Sequence, residues 1–253
     1  MDDSALLDLA VALAEQAAAA IMQVRAAGFS VTAKADDTPV TIADTQAEAI
    51  ITAGLRAAAP HIPVVAEEEV AAGRVTALGA QYWLVDPLDG TREFAAGRQE
   101  FAVNIGLIRD GVAVLGAVAS PALHEVHYGA LGIGAFRRRN GETVRIFARR
   151  APPEGLTVMA SRHYAADPAL AALLGTYKIA SLTNIGSALK FLRVAEGAAD
   201  FYPRLGRTME WDTAAPQAVV EAAGGCVLTA AGEKLRYGKK NFENPEFYVW
   251  GLR

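Results

Sequence analysis

Between Ser4 and Ala27 the apolar residues recur every three or four positions, with Asp8, Glu15 and Gln16 falling between them. That spacing predicts the amphipathic helix of a soluble protein, closed by Gly28. A second helix is predicted from Thr41 to Ala59, stopped by Pro60. The pattern then changes. "IPVVA" at 62–66 and "QYWLV" at 81–85 are short apolar runs bounded by turn residues, as expected of buried strands. From Phe101 to Phe147 apolar runs alternate with tight turns, among them "RDG" and the hairpin signal Asn140-Gly141, which predicts an antiparallel meander. Beyond "RRAPPEG" at 149–155 strands and helices alternate. "LTVMAS" and "ADFYP" read as strands, and 167–174, "GSALKFLRVAEG" and "WDTAAPQAVVEAAGG" as helices. The Pro-Pro stretch divides an N-terminal α+β half, residues 1–150, from a C-terminal α/β half, residues 151–253.

Composition narrows the class. With 253 residues, 52% hydrophobic and 21% charged, the chain can bury a sizeable core and is not a disordered segment. A net charge of −4 argues against a binder of nucleic-acid polymers, which needs a basic face, but leaves room for a small anionic ligand at a locally positive site. The single cysteine, Cys226, forbids an intrachain disulfide and fits a reducing compartment. The start, "MDDSALLDLA", is acidic where a secretory signal is basic. A cytoplasmic protein without a transmembrane segment is expected, either monomer or homodimer.

The chemistry concentrates in "WLVDPLDGTREF", residues 83–94. Pro87 fixes its own φ and biases Asp86 toward an extended shape, so the strand is expected to break there. Asp86 and Asp89 would then leave its carboxyl end, where ligands bind in open α/β sheets. Two carboxylates that close repel one another unless a cation lies between them. Gly90 permits close backbone approach, and the amides of a helix starting near Thr91 offer a place for an anion. Carboxylates beside such amides point to Mg²⁺, which takes oxygen ligands and commonly bridges carboxylates to a substrate phosphate. One Asp pair would hold it weakly. Glu67, Glu68 and Glu69 after a strand, Asp212 opening a helix, and Asp44 in "TIADTQAE" are further candidates at element ends.

Each candidate also has a plainer reading. D-x-x-D after a strand commonly serves as turn and N-cap, "EEE" as a solvated loop with one member pointing inward, and Asp212 alone as an N-cap. Arg137, Arg138 and Arg139 border a hairpin and read as surface charge. The histidines, at 61, 124, 127 and 163, lack metal-ligand spacing; His124 and His127 read as strand residues, and Cys226 as core. No Gly-rich phosphate loop of the Walker or dinucleotide type is present.

Taken in order, "VVAEEE", "WLVDPLDGTREF" and "WDTAAP" resemble the three signatures of the inositol monophosphatase superfamily: a strand ending in Glu-Glu, D-P-[LI]-D-G-T, and W-D-x-A. Within it, "KADDTPVTIAD", "NIGSALKFLRVAEG" and "ADFYPRLGRTMEWDTAA" are most similar to the bacterial CysQ-type 3′(2′),5′-bisphosphate nucleotidases. The resemblance implies an α/β (α+β) fold, a layered α/β/α/β/α sandwich of the sugar-phosphatase type. It also implies a Mg²⁺-dependent phosphomonoesterase, with two or three ions, that removes the 3′-phosphate of adenosine 3′,5′-bisphosphate. By the same resemblance Glu67, Asp86 and the Leu88 carbonyl hold one ion, and a second shares Asp86 with Asp89 and Asp212. The phosphate rests on the amides of Gly90 and Thr91, and Asp44 with Thr91 orients the attacking water beside Glu67. Phosphoryl transfer direct to water and inhibition by Li⁺ are implied as well.

Gly186, Ser187, Lys190 and Arg204 match positions that approach the sugar and base, though Lys190 reads equally as a solvent-facing helix residue. Ser161, Arg162 and His163 fall at a strand end and could face the site. The chain departs from its relatives at Pro216, where they commonly carry glycine; with Asp212 or Thr213 as cap, Pro216 falls at the edge of the first turn. Two other functions compete. One is the same chemistry on inositol phosphate, fructose 1,6-bisphosphate or histidinol phosphate. The other is a phosphate-ligand binding protein without turnover, against which the water-orienting pair counts.

Overall fold

The computed structural model describes residues 1–33, 39–162 and 166–253. Helix α1, Asp3–Ala27, starts under Asp2, whose carboxylate accepts the Ala5 N–H at 2.9 Å. By length and apolarity it could cross a membrane. Its apolar face, from Leu6 and Ala10 through Ala17 to Ile21, is instead buried in the main core. A small ribbon, β1 (Val31–Ala33) against β2 (Pro39–Thr41), leads into α2, Ile42–Ala58. The Thr41 hydroxyl accepts the Ala43 N–H at 3.1 Å while the Asp44 carboxylate accepts the Thr41 N–H at 2.8 Å. Where the two helices cross, the Leu13 side chain packs against the bare Cα of Gly54, and a Cβ there would displace it.

These helices cover one face of a seven-stranded sheet that runs in chain order: β3 (Val64–Ala66), β4 (Gln81–Asp89), β5 (Ala102–Arg109), β6 (Val112–Ser120), β7 (Glu125–Ala130), β8 (Gly134–Arg139) and β9 (Glu142–Ile146). β3 is parallel to β4, and the rest is an antiparallel meander. Its two-residue turns, Asp110-Gly111 and Asn140-Gly141, have positive φ at both positions, as the twist of a tight hairpin requires. Short helices α3 (Glu67–Ala71) and α4 (Thr91–Ala95) follow β3 and β4.

A second sheet has the order β11 (Ile179–Ile185), β10 (Leu156–Ser161), β12 (Phe201–Arg204), β14 (Phe247–Trp250), β13 (Cys226–Thr229). β10 is parallel to both its neighbours, and β14 is antiparallel to both of its own. Helices α6 (Leu189–Ala195) and α7 (Glu210–Ala222) fill the space between the sheets, while α5 (Pro168–Leu174) packs Leu173 and Leu174 on the outer face of the second. The layers are therefore α/β/α/β/α.

The depth at which α7 lies is set by glycine. Gly106, Gly116 and Gly129 are successive cross-strand partners on β5, β6 and β7. A Cβ on Gly106 would fall 2.7 Å from the Ala215 nitrogen, and one on Gly116 2.4 Å from the Ala215 oxygen. The helix backbone thus rests on bare strand backbone.

Several local expectations are corrected. Strands β1, β2, β11, β13 and β14 are not among the predicted elements; β11 is a largely exposed edge strand, so its sequence lacks the apolar run of a buried one. His124 is not a strand residue but the left-handed end of a 3-10 turn, with φ 55°. Cys226 is half-buried rather than core.

Candidate active site

β4 does not break at Asp86. Asp86 pairs with Asn104 and Asp89 with Ala102, so three steps on β4 match two on β5: the strand carries one extra residue, a β-bulge. Pro87 sits in that bulge, where its missing N–H disturbs the ladder least. Residues three apart on a flat strand face opposite sides. The bulge cancels this, and both carboxylates line one cavity of about 780 Å³. Asp86 is buried, with Oδ1 accepting the Leu88 N–H at 3.0 Å. Gly90 adopts φ 92°, and a Cβ there would lie 2.9 Å from the Glu100 carbonyl. The Thr91 hydroxyl lies 3.0 Å from both Asp44 Oδ1 and the Leu88 oxygen, and its one proton serves one of them at a time.

Two further acids reach the same cavity from other elements: Glu67, first residue of α3, and Asp212 in the first turn of α7. Burial raises the pKa of Asp86 well above the ordinary range, and the charges of Glu67, Asp89 and Asp212 raise it further. Burial, then Asp89 and Glu67, push Asp212 to about 7. Burial lifts Asp89 to about 6 against the pull of Lys190. Among the described residues no three Asp, Glu, His or Cys side chains already stand as an ion-holding cluster. Each Asp commits one oxygen to a backbone N–H, Asp86 to Leu88, Asp89 to Ala188 and Asp212 to Met209, which leaves its other oxygen for a cation. What remains is a set of oxygen donors that repel one another, the donor chemistry a hard divalent cation takes. Glu67, Asp86, Asp89, Asp212 and the Leu88 carbonyl could hold one.

The facing wall is cationic. Lys190 is buried, not solvent-facing, and donates to the Ser187 and Ile185 carbonyls at 2.5 and 3.3 Å. Burial lowers its pKa to about 8, although Asp89 pulls the other way. Arg204 donates to the Gly206 and Arg207 carbonyls at 3.0 and 2.7 Å. Gly186 and Ser187 complete this wall. A Cβ on Gly186 would meet Glu93 Cγ at 2.8 Å, and Ser187 holds φ 50°, a strained value for a non-glycine. Acids on one wall and cations on the other suit an anionic ligand that arrives with counter-charge.

Residues 2–248 match the inositol monophosphatase family. The chain belongs to that family. It is 43% identical over 247 residues to the 3′(2′),5′-bisphosphate nucleotidase CysQ of Salmonella typhimurium, covering 96% of this chain and 99% of that protein. Its fold is similar to that of CysQ from Bacteroides thetaiotaomicron, a bacterial member of the inositol monophosphatase family, with 32% identity, a TM-score of 0.82 and 98% of each chain covered. The IMPase of Thermotoga maritima is 27% identical with a TM-score of 0.80, over 96% of this chain and 91% of that one.

In this inositol monophosphatase family member, Asp44, Glu67, Asp86, Leu88, Asp89, Gly90, Thr91, Gly186, Ser187, Lys190, Arg204 and Asp212 all line the cavity or bond directly to a residue that does. Ser161 lines it too, Arg162 pairs with Glu100 at 2.5 Å, and His163 lies outside the described residues. Of the three successive glutamates, Glu69 is held by Arg56 through bonds of 2.9 and 2.7 Å. Arg137, Arg138 and Arg139 are tied to Glu196, Glu15 and Glu125.

Pro216 is placed differently from expectation. Met209, not Asp212, is the N-cap of α7, so Pro216 is an interior residue without the N–H that would reach the Asp212 carbonyl. Two residues escaped the sequence reading. Asn104 is fully buried directly across from Asp86, and neither of its amide atoms has a hydrogen-bond partner among the described residues. Its only signal is one polar residue inside "FAVNIGLI". The other is Glu48, one helical turn past Asp44 and buried with it.

Proposed function

We propose that this chain is a Mg²⁺-dependent phosphomonoesterase that hydrolyses adenosine 3′,5′-bisphosphate to AMP and phosphate. The observation that carries the reading is the Thr91 hydroxyl, shared by Asp44 and the Leu88 carbonyl, beside four acids that line one cavity with a cationic far wall. That the Salmonella relative is a 3′(2′),5′-bisphosphate nucleotidase supports the nucleotide as substrate. Glu67, Asp86, Asp89 and Asp212 would hold two or three Mg²⁺, which would supply charge neutralisation of the phosphate dianion and a lowered pKa for water. The chain supplies the rest. The Gly90 and Thr91 amides take phosphate oxygens. With its proton donated to Asp44 Oδ1, the Thr91 oxygen is left as an acceptor that aims a water in line with the ester bond. The phosphoryl group passes directly to that water. Lys190, Arg204 and Ser187 face the nucleotide. The buried apolar face of α1 and the single cysteine support a cytoplasmic location, which cell fractionation would check.

The test is phosphate release from adenosine 3′,5′-bisphosphate, inositol 1-phosphate, fructose 1,6-bisphosphate and histidinol phosphate, each with Mg²⁺ or chelator. The bisphosphate nucleotide should be turned over fastest, and only with Mg²⁺. Equal rates on the polyol phosphates would replace the substrate assignment, and no release from any of them would leave a binding protein.

A further inference from the structure

Helix α3 begins at Glu67 behind Ala66, a residue with no side chain able to cap it. The first-turn N–H of Glu68 is taken instead by Glu48 Oε2 at 2.7 Å, from a residue 20 positions earlier that is only 6% exposed. Two turns further along α2, Arg56 grips the Glu69 carboxylate with both of its terminal nitrogens. The second glutamate is thus fixed through its amide and the third through its side chain, both by α2, while the first lines the cavity. One turn before Glu48 the same helix carries Asp44, bonded to Thr91. A single 17-residue helix therefore sets the separation between the Asp44–Thr91 pair and Glu67.

We propose that Glu48 is a positioning residue: a cap supplied from a distant helix that holds the first turn of α3 and so aims the Glu67 carboxylate into the cation site. The inference rests on the reading of Glu67 as a cation ligand. Ligand-orienting partners of this kind typically change metal affinity by about 10- to 100-fold when removed. A local cap that served only stability would change the unfolding midpoint and leave affinity alone.

The experiment is calorimetric titration of Mg²⁺ into the full chain stripped with chelator, each variant checked for fold by circular dichroism. E48M, matched in size but without a strong acceptor, and E48A should each bind Mg²⁺ about 10- to 100-fold more weakly than wild type. E48Q keeps an acceptor oxygen and should stay within a few-fold of wild type. In an E67A background E48A should cost nothing further, because its effect runs through Glu67. Wild-type affinity in E48M or E48A overturns the inference, as does an undiminished loss in the E67A background. Wild-type protein that binds no Mg²⁺ overturns the cation reading itself.

Discussion

The seating of α7 on bare strand backbone makes Gly116→Ala a severe change for one carbon atom. The added Cβ would lie 2.4 Å from the Ala215 oxygen, 2.6 Å from its Cα and 2.8 Å from its carbonyl carbon. All three are backbone atoms, so no rotamer relieves the clash. Ordinary contact begins near 3.4 Å, and α7 must therefore lift by about 1 Å. Overpacking of this kind costs roughly 1–3 kcal/mol. Asp212 lies three residues before Ala215 on the same helix and moves with it. A misplacement of about 1 Å in a catalytic constellation can cost about 100-fold in rate. Urea unfolding should show the midpoint falling at constant slope, and phosphate release with Mg²⁺ should fall by about two orders of magnitude. Gly79→Ala is the control, since its nearest neighbour is 3.7 Å away; it should stay within about 0.5 kcal/mol of wild type. Native stability and native turnover in G116A would show that α7 does not rest on the sheet as described.

Asp89→Asn should remove most phosphate release while leaving the protein folded and no less stable to heat, because a carboxylate raised to about 6 by burial is costly to ionise at neutral pH. Wild-type turnover in D89N would reduce Asp89 to the partner of the Ala188 N–H. Burial alone would raise Glu196, yet the His127 hydrogen bond and the Arg193 charge hold it at about 2. Its folded pKa lies below the unfolded value of 4.5, so its contribution, at most about 3 kcal/mol, is complete above pH 4.5 and lost as pH falls toward 2. Glu196→Gln should therefore destabilise in urea at pH 7 and match wild type near pH 2; an equal deficit at both would refute this. Glu48, Asp212 and Asp89 titrate the opposite way, raised by burial to about 7, 7 and 6. In chelator the protein should lose stability as pH rises from 4 through 7. Melting temperatures in chelator that climb across that interval would contradict the sign.

Local signals carried much of this structure. The amphipathic periods of α1 and α2 and the Asn-Gly turn are sequence-local, and those elements lie where the pattern put them. The acids could be read as element-end candidates because Pro, Gly and the strand pattern surround them. What escaped depends on partners distant in sequence. The bulge in β4 exists only relative to β5, β11 shows too little apolar pattern to announce itself, and Pro216 depends on which residue starts α7. Glu48 is an unremarked acid on a helix until Glu68, 20 residues on, is seen to need an acceptor.

The extra residue between Asp86 and Asp89 also limits how this chemistry could be transplanted. A protein engineer copying the four residues from Asp86 to Asp89 into a regular hairpin would graft one acid inward and the other onto the far side. A usable transplant must carry the mismatch with the neighbouring strand as well, so the smallest portable unit is a pair of strands and not a peptide.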